Sequence, residues 1–255
     1  MGSCLKCRPP DPRWDECPAD PLKGRIYEPW CPNCRTKYAS EYGPIYRAWF
    51  NQNASAVLGQ MGVPSRFRSC SMEGFQVKEP DQRRIFLAAQ SWLDGDEPPG
   101  LFLCGPCGTG KTHLAVGVLL ELKRLRFSGQ FVSAQELIME CRDSFRGQSE
   151  DLSSILKKYT DADALLLDDL GTEKTTEFVR ETIFALIDRF YRNEKLLIVT
   201  SNFNLGDLAE RLGERTADRL VEMCQAVMFT GSSFRHQIAA KRITTKSLPA
   251  GQVVQ

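Results

Sequence analysis

The residues best suited to chemistry in this sequence form a glycine-rich segment between a predicted strand and a predicted helix. Residues 105–112 read GPCGTGKT and match the pattern GxxxxGKS/T. Glycines let successive backbone N–H groups turn toward one anion, and the following helix points its positive end at the same place. Lys111 would neutralise the β- and γ-phosphates of ATP, and the hydroxyl of Thr112 would ligate Mg²⁺. The predicted nucleotide contacts are Gly105, Pro106, Cys107, Gly108, Thr109, Gly110, Lys111, Thr112 and His113.

The same segment contains a second pattern, because Cys104 and Cys107 have the CxxC spacing of thioredoxin-like redox proteins. Such motifs place a reactive thiolate at a helix N-terminus. The helix predicted here begins only after Gly110 and Lys111, so Cys107 lies too early to gain that effect. Redox catalysis is therefore the weaker alternative for this segment, although oxidation of the thiol would disable a phosphate loop.

An apolar run at residues 164–167 ends in two carboxylates, Asp168 and Asp169. Asp168 would hold magnesium, usually through water, and Asp169 would orient or deprotonate the attacking water. Aspartate is common wherever strands turn into loops, so this pair alone is a weak signal. Its place after the glycine-rich segment, with a strand and two predicted helices between, indicates nucleotide hydrolysis.

Further polar residues lie after the fourth predicted strand, on the helix that follows it and after the fifth strand. Ligands bind at the carboxyl ends of strands in open α/β sheets, so Asn202 is expected to point toward the γ-phosphate. A turn-forming Ser-Asn pair is the alternative. Arg215 and Arg219 lie four residues apart on a predicted helix, and Arg235 follows the fifth strand. A solvated, salt-bridged helix face is the usual explanation for such arginines.

Short apolar runs alternate with amphipathic stretches from residue 82 onward, without an internal repeat. This rhythm predicts an α/β fold with one doubly wound parallel sheet and helices on both faces. Ser133 followed by Glu136 predicts a capping box at the start of one helix. The predicted strands are residues 101–104, 131–133, 164–168, 196–200 and 226–230.

The first 34 residues hold half of the ten cysteines in the chain. Cys4 with Cys7, and Cys31 with Cys34, form two CxxC knuckles at a spacing typical of structural zinc sites. A segment this small and poor in periodic apolar residues needs the binding energy of a metal to fold. Disulfides are the alternative, and Cys17 is left over as a possible further ligand.

The charge balance and the length of the apolar runs argue against some classes of function. Lys plus Arg number 33 and Asp plus Glu 32, so no global positive field indicates nucleic acid or an anionic membrane. The apolar runs are too short to span a membrane, and the first residues do not read as a signal peptide, so we expect a cytoplasmic location.

We expect a zinc-binding domain at 1–45, a connector at 46–80, an ATPase domain at 81–245 and a flexible tail at 246–255.

The whole set resembles the AAA+ ATPases with their P-loop NTPase fold, and among them the DnaC and DnaI helicase loaders and the IstB transposition ATPases. The resemblance covers residues of about 64–240 and rests on GPCGTGKTHLA, LLLDDLG, IVTSN, LGERTADRL and SSFR. It implies that Asn202 is the sensor-1 residue, Arg219 the arginine finger with Arg215 beside it, and Arg235 sensor 2. Many AAA+ ATPases carry Glu where this chain has Asp169, which implies slow or partner-dependent hydrolysis.

The cysteine-rich front favours one branch of the family, because DnaI-like loaders tend to carry an N-terminal zinc-binding module that engages the helicase. The resemblance then implies an ATP-dependent loader of the replicative helicase onto single-stranded DNA, assembled with copies of itself into a ring or spiral. The first alternative is a transposition ATPase that binds DNA and recruits a transposase. A second is a nucleotide-gated adaptor with little hydrolysis.

Overall fold

The computed structural model of the protein describes residues 43–77, 79–95, 98–125, 127–144, 151–231 and 233–234. The predicted zinc ligands Cys4, Cys7, Cys31 and Cys34 lie outside the described residues, and so do Arg235 and the predicted tail. None of the helices in the described ranges is long and apolar enough to cross a bilayer.

One five-stranded sheet organises these residues. Its strands pair in the order β2-β3-β4-β1-β5, and each neighbouring pair is parallel. The strands are β1 (Gly100–Cys104), β2 (Gly129–Ser133), β3 (Ala164–Leu170), β4 (Leu196–Ser201) and β5 (Cys224–Met228). The predicted parallel α/β sheet is therefore confirmed. The fifth strand begins two residues earlier than predicted, because the preceding helix ends at Met223 and continues into the strand without a loop.

Eight α-helices connect and cover the strands of the described chain. They are α1 (Gly43–Gln60), α2 (Pro80–Asp94), α3 (Lys111–Arg124), α4 (Ala134–Ser144), α5 (Leu152–Thr160), α6 (Glu177–Arg192), α7 (Leu205–Leu212) and α8 (Glu214–Met223). The predicted capping box is present before α4: the Ser133 amide donates to Glu136 Oε2, and the Glu136 amide donates to Ser133 Oγ, each over 3.2 Å. Such reciprocal bonds satisfy amides that the helix itself cannot pair.

Apolar side chains fill a core on each face of the sheet. Along β1, Leu101 and Leu103 join the core that contains α1, α2 and α3, whereas Phe102 and Cys104 join the core that contains α4 to α8. This alternation is the period of two expected of a strand buried on both faces. The prediction of helices on both faces of the sheet is confirmed.

The segment predicted as a connector is part of the first core. Phe50, Leu58, Val63 and Met72 are all buried against α3 and its neighbours. The backbone amide of Phe131 in β2 also donates to the Met61 carbonyl over 2.8 Å. Helix α1 begins at Gly43, three residues before the segment predicted as the connector. Sequence periodicity did not reveal this packing, because most of residues 62–79 form irregular backbone.

Residues 71–72 lie directly on α3 at Gly117. A Cβ atom added to Gly117 would come within 2.7 Å of the Met72 amide nitrogen and 2.8 Å of the Ser71 carbonyl carbon. Both neighbours are backbone atoms, so the two segments would have to move apart. At Gly59 in α1 an added Cβ would instead meet the flexible guanidinium end of Arg68, at 3.1 Å.

We therefore predict opposite outcomes for two helical glycine substitutions. Gly117→Ala should lower the free energy of unfolding by about 1–2 kcal/mol, because overpacking outweighs the gain in helix propensity of about 1 kcal/mol. Gly59→Ala should leave the free energy of unfolding unchanged or raise it. Urea unfolding followed by circular dichroism measures both. Equal effects of the two substitutions would contradict the described contact between residues 71–72 and α3.

Candidate nucleotide-binding site

The loop between β1 and α3 has the backbone that its glycines predict. Gly105, Gly108 and Gly110 have φ values of +135°, +79° and +101°, in the region that glycine adopts without steric cost. A side chain at Gly105 would collide with the carbonyl oxygen of Phe229, and the amide of Phe229 donates to the Cys104 carbonyl over 2.7 Å. The loop is therefore packed against the chain that leaves β5.

Lys111 is the first residue of α3 and lies across this loop. Its side chain is buried, with the residue 6% exposed, and Nζ donates to the carbonyls of Gly105 (2.7 Å) and Pro106 (2.8 Å). A third bond of 2.9 Å goes to Oδ1 of Asn202, just beyond β4. Burial lowers the pKa of Lys111, and the neighbouring carboxylates Asp169 and Asp168 oppose that shift. The cation is thus held at the loop's centre by oxygen atoms.

Asp168 lies on β3 at the same edge of the sheet, 5% exposed. Its Oδ1 accepts a hydrogen bond from Thr112 Oγ1 over 2.9 Å and another from Thr200 Oγ1 over 2.6 Å. Burial raises the pKa of Asp168, while the bond from Thr200 acts in the opposite direction. A carboxylate and a hydroxyl side by side are the oxygen donors that a hard divalent cation takes. The residues predicted for magnesium therefore fit that ion.

Asp169 differs from its neighbour in both exposure and backbone. Leu167 pairs with Val199 but Leu170 pairs with Ser201, so β3 holds one extra residue in a bulge opposite β4. Within this bulge Asp169 has φ +57°, uncommon for a residue with a side chain, and its side chain is exposed. Bulges re-aim side chains near functional sites. The two adjacent carboxylates consequently have different surroundings, one buried and one open to solvent.

The end of β4 supplies more of the site than the sequence indicated. Asn202, expected there as a polar residue facing the phosphates, lies beside Lys111. The carbonyl of Ser201 accepts the Gly105 amide over 3.2 Å and so fixes the start of the loop. Thr200, one of the polar residues at the end of this strand, contacts both acidic residues of β3. Its signal in the sequence was slight, since Thr200 and Ser201 are simply two hydroxyl residues at the end of an apolar run.

The arginines of α8 contact α6 in the same chain. The Arg219 guanidinium lies 3.3 Å from Asp188 Oδ1 and 4.3 Å from the ring centroid of Tyr191. Asp188 also accepts Arg192 Nε over 2.6 Å. Arg215 lies over the ring of Phe184 at 4.2 Å. Within the described residues, neither Arg215 nor Arg219 contacts residues 105–112, so the structure does not bring them to the phosphate loop of their own chain.

His113, predicted as a nucleotide contact, faces the segment before α2. Its Nε2 is 3.3 Å from the Ser71 carbonyl oxygen and its ring meets Phe75 edge-on, with centroids 6.0 Å apart. Burial lowers the pKa of His113. Phe75 also packs on Phe229 and close to Gly110. An aromatic group therefore borders the loop, and no sequence pattern pointed to it, because Phe75 lies outside any periodic element.

The redox alternative for this loop has no support in the described geometry. Cys104 is buried, and burial raises the pKa of its thiol, which is opposite to the shift that thiol catalysis needs. Cys107 is an exposed free thiol, and α3 begins at Lys111, one residue earlier than predicted but still well after Cys107. The two sulfur atoms thus lie in different environments and form no disulfide.

Comparison with known proteins gives a consistent set of relatives. The chain is 24% identical over 188 residues to the replicative helicase loader DnaC of Escherichia coli strain K12, covering 72% of this chain and 76% of that protein. A crystal structure of the DnaC helicase loader matches with a TM-score of 0.60 and 28% identity, over 66% of this chain and 100% of that one. The crystal structure of DnaI, at 23% identity, shares the fold with a TM-score of 0.59 over 67% of this chain and 96% of the other.

These relatives confirm the resemblance to AAA+ proteins of the DnaC, DnaI and IstB type. The family described as IstB-like ATP binding protein matches residues 65–242, which is well over half of the chain. That range contains the loop, both carboxylates, Asn202 and the arginines of α8. The protein belongs to the family of IstB-like ATP binding proteins.

Proposed function

We propose that the protein binds ATP with Mg²⁺, hydrolyses it, and uses the cycle to load a replicative helicase onto single-stranded DNA. The observation that carries the nucleotide chemistry is the convergence of Lys111, Thr112, Asp168 and Asn202 at the carboxyl ends of β1, β3 and β4. The similarity to DnaC supports the assignment to helicase loading.

Lys111 and the loop amides bind the phosphates. The ammonium group is already at the centre of the loop, paired with two carbonyls and Asn202. Phosphate oxygens accept stronger, charge-assisted bonds than neutral carbonyls do, so ATP competes for the same cation. Asn202 remains within reach of the lysine and can donate its amide N–H to the γ-phosphate, the role expected of sensor 1.

Hydrolysis requires a base and a divalent cation at this edge of the sheet. Thr112 and Asp168 would hold Mg²⁺, which when bound neutralises charge on the phosphates. Asp169 is exposed beside the buried Asp168 and is the carboxylate free to orient or deprotonate water. Because aspartate is one methylene shorter than glutamate, we expect slow hydrolysis that a partner accelerates.

The family name favours a second candidate, a transposition ATPase that binds DNA and recruits a transposase. The two functions differ in partner and in DNA. A loader binds the replicative helicase and single-stranded DNA, whereas the transposition ATPase binds duplex DNA. Co-purification of the full chain with the replicative helicase of its own organism, with ATP present, separates them. Failure to bind the helicase together with preference for duplex DNA would favour the second candidate.

Replacement of Lys111 tests the phosphate loop. Lys111→Ala should weaken ATP binding at least about tenfold, since hydrogen bonds to charged groups contribute about 1.5–3 kcal/mol. Fluorescence titration with a labelled ATP analogue measures the affinity. Lys157→Ala, at an exposed lysine of α5, is the control for loss of one positive charge. Unchanged affinity in Lys111→Ala would refute the assignment of the loop.

We further propose that Arg219 acts in trans on the nucleotide of a neighbouring copy. Its contacts to Asp188 and Tyr191 hold the guanidinium, 33% exposed in its side chain, at the surface between α6 and α8. The rival explanation is that this ion pair only anchors α8 to α6. An arginine supplied in trans contributes on the order of 10³ or more in rate where it acts fully.

Mixing of subunits distinguishes the two explanations. Arg219→Ala should bind ATP normally but lose ATPase activity, and adding Lys111→Ala subunits should restore part of it, because a mixed interface pairs an intact loop with an intact arginine. Arg192→Ala also removes an arginine from Asp188, but its side chain is 71% exposed, and it should keep activity. If mixing restores nothing while both variants assemble, or if Arg219→Ala unfolds, the trans role is wrong.

A structural zinc ion at Cys4, Cys7, Cys31 and Cys34 remains part of the proposal, with the N-terminal residues as the adaptor to the helicase. Metal analysis of the purified chain should find one zinc per chain. Cys31→Ser should lose the metal and still bind ATP, while Cys107→Ser should keep it, since that thiol lies in the phosphate loop. Zinc-free protein with paired disulfides among the four cysteines would contradict the site.

A further inference from the structure

Thr200 is a fully buried residue of β4, 0% exposed, beside the two acidic residues of β3. Its hydroxyl donates to Asp168 Oδ1 over 2.6 Å and accepts the backbone amide of Asp169 over 2.9 Å. One hydroxyl group therefore uses its donor on one carboxylate and its acceptor on the backbone of the next. No other side chain in the described residues bonds to both positions.

The second of these bonds belongs to the bulge in β3. Asp168 and Asp169 stand between the pairs Leu167–Val199 and Leu170–Ser201, where regular strand pairing is interrupted. A backbone N–H that loses its ladder partner needs another acceptor. Thr200 Oγ1 is that acceptor for the Asp169 amide. Asp169 is also the residue of the bulge that has φ +57°. Such a backbone persists only where surrounding contacts hold it.

The first bond is made to the carboxylate of Asp168, which belongs to the proposed magnesium site. Thr112 and Thr200 both donate to the same oxygen, Oδ1 of Asp168, from α3 and β4 respectively. A bound cation would take the Thr112 oxygen as a ligand, and the bond from Thr200 would then be the one left to orient the carboxylate. Hydrogen bonds to ligating carboxylates commonly set how well a metal is held.

We propose that Thr200 is a positioning residue that orients Asp168 toward the cation and aims Asp169 away from it through the bulge. This inference rests on the proposed nucleotide chemistry. The competing explanation is that a buried hydroxyl has simply found acceptors and donors in the core. That explanation predicts a change in stability alone, with magnesium dependence unaffected.

Three substitutions separate the hydroxyl from the methyl group. Thr200→Ser and Thr200→Ala both lack the methyl and differ from each other only in the hydroxyl, and Thr200→Val keeps the shape without the hydroxyl. The control Thr182→Val alters a comparably buried threonine of α6. Circular dichroism and urea unfolding establish the stability of each variant.

The first measurement is ATP affinity with and without Mg²⁺, by fluorescence titration. In wild type and Thr200→Ser, Mg²⁺ should strengthen binding to the same extent. In Thr200→Ala and Thr200→Val that strengthening should fall by about 10- to 100-fold, the usual cost of removing a partner of a metal ligand. Binding without Mg²⁺ should be equal in all variants, because Lys111 and the loop are unchanged.

The second measurement is amide hydrogen exchange at Asp169 in the protein without nucleotide. Exchange should be about fivefold faster or more in the Ala and Val variants than in wild type and Thr200→Ser, because the amide has lost its acceptor. This readout needs no bound ligand. It reports the bulge directly.

The outcomes are distinct. Wild type that binds no nucleotide, or binds it without any effect of Mg²⁺, refutes the proposed nucleotide chemistry itself. Wild type with normal magnesium dependence, together with Ala and Val variants that match it, overturns the role of Thr200 alone. Ala and Val variants that no longer fold while Thr182→Val does would also overturn it, since the hydroxyl would then serve the fold.

Discussion

The burial of one ammonium group at the head of α3 is the interaction on which the site depends. A cation out of contact with water is costly unless oxygen atoms surround it. Lys111 meets this condition with two carbonyls of the loop and the amide oxygen of Asn202. The arrangement requires β1, β4 and α3 to meet at one edge of the sheet, and the strand order brings them there. The loop is thus folded around its own cation.

The second constraint is the bulge in β3, where two adjacent carboxylates differ in burial. An ordinary strand would point Asp168 and Asp169 to opposite faces of the sheet. The bulge adds a residue at this point, so Asp168 is buried against Thr112 and Thr200, whereas Asp169 stays exposed. Two identical side chains thereby have different surroundings, one buried and hydrogen-bonded and the other open to solvent. The division follows from backbone register and not from residue type.

The sequence predicted the fold and the centre of the site because both depend on local patterns. Glycines that need positive φ, such as Gly108 and Gly110, and five apolar runs leave few alternatives for the backbone. The contacts of Thr200 and of Phe75 could not be predicted in this way, since each involves residues distant in sequence. The same holds for Arg219: its place on a helix was predicted, but its partner Asp188 belongs to α6, 31 residues earlier.

The absence of a loop between α8 and β5 has a mechanical consequence. Helix α8 ends at Met223 and β5 begins at Cys224, so the helix that carries Arg219 leads directly into the strand with no loop between them. Just beyond β5, the amide of Phe229 donates to the Cys104 carbonyl, and the Phe229 carbonyl leaves no room for a side chain on Gly105. A shift of α8 relative to the sheet would therefore move β5 and, through Phe229, the first residue of the phosphate loop.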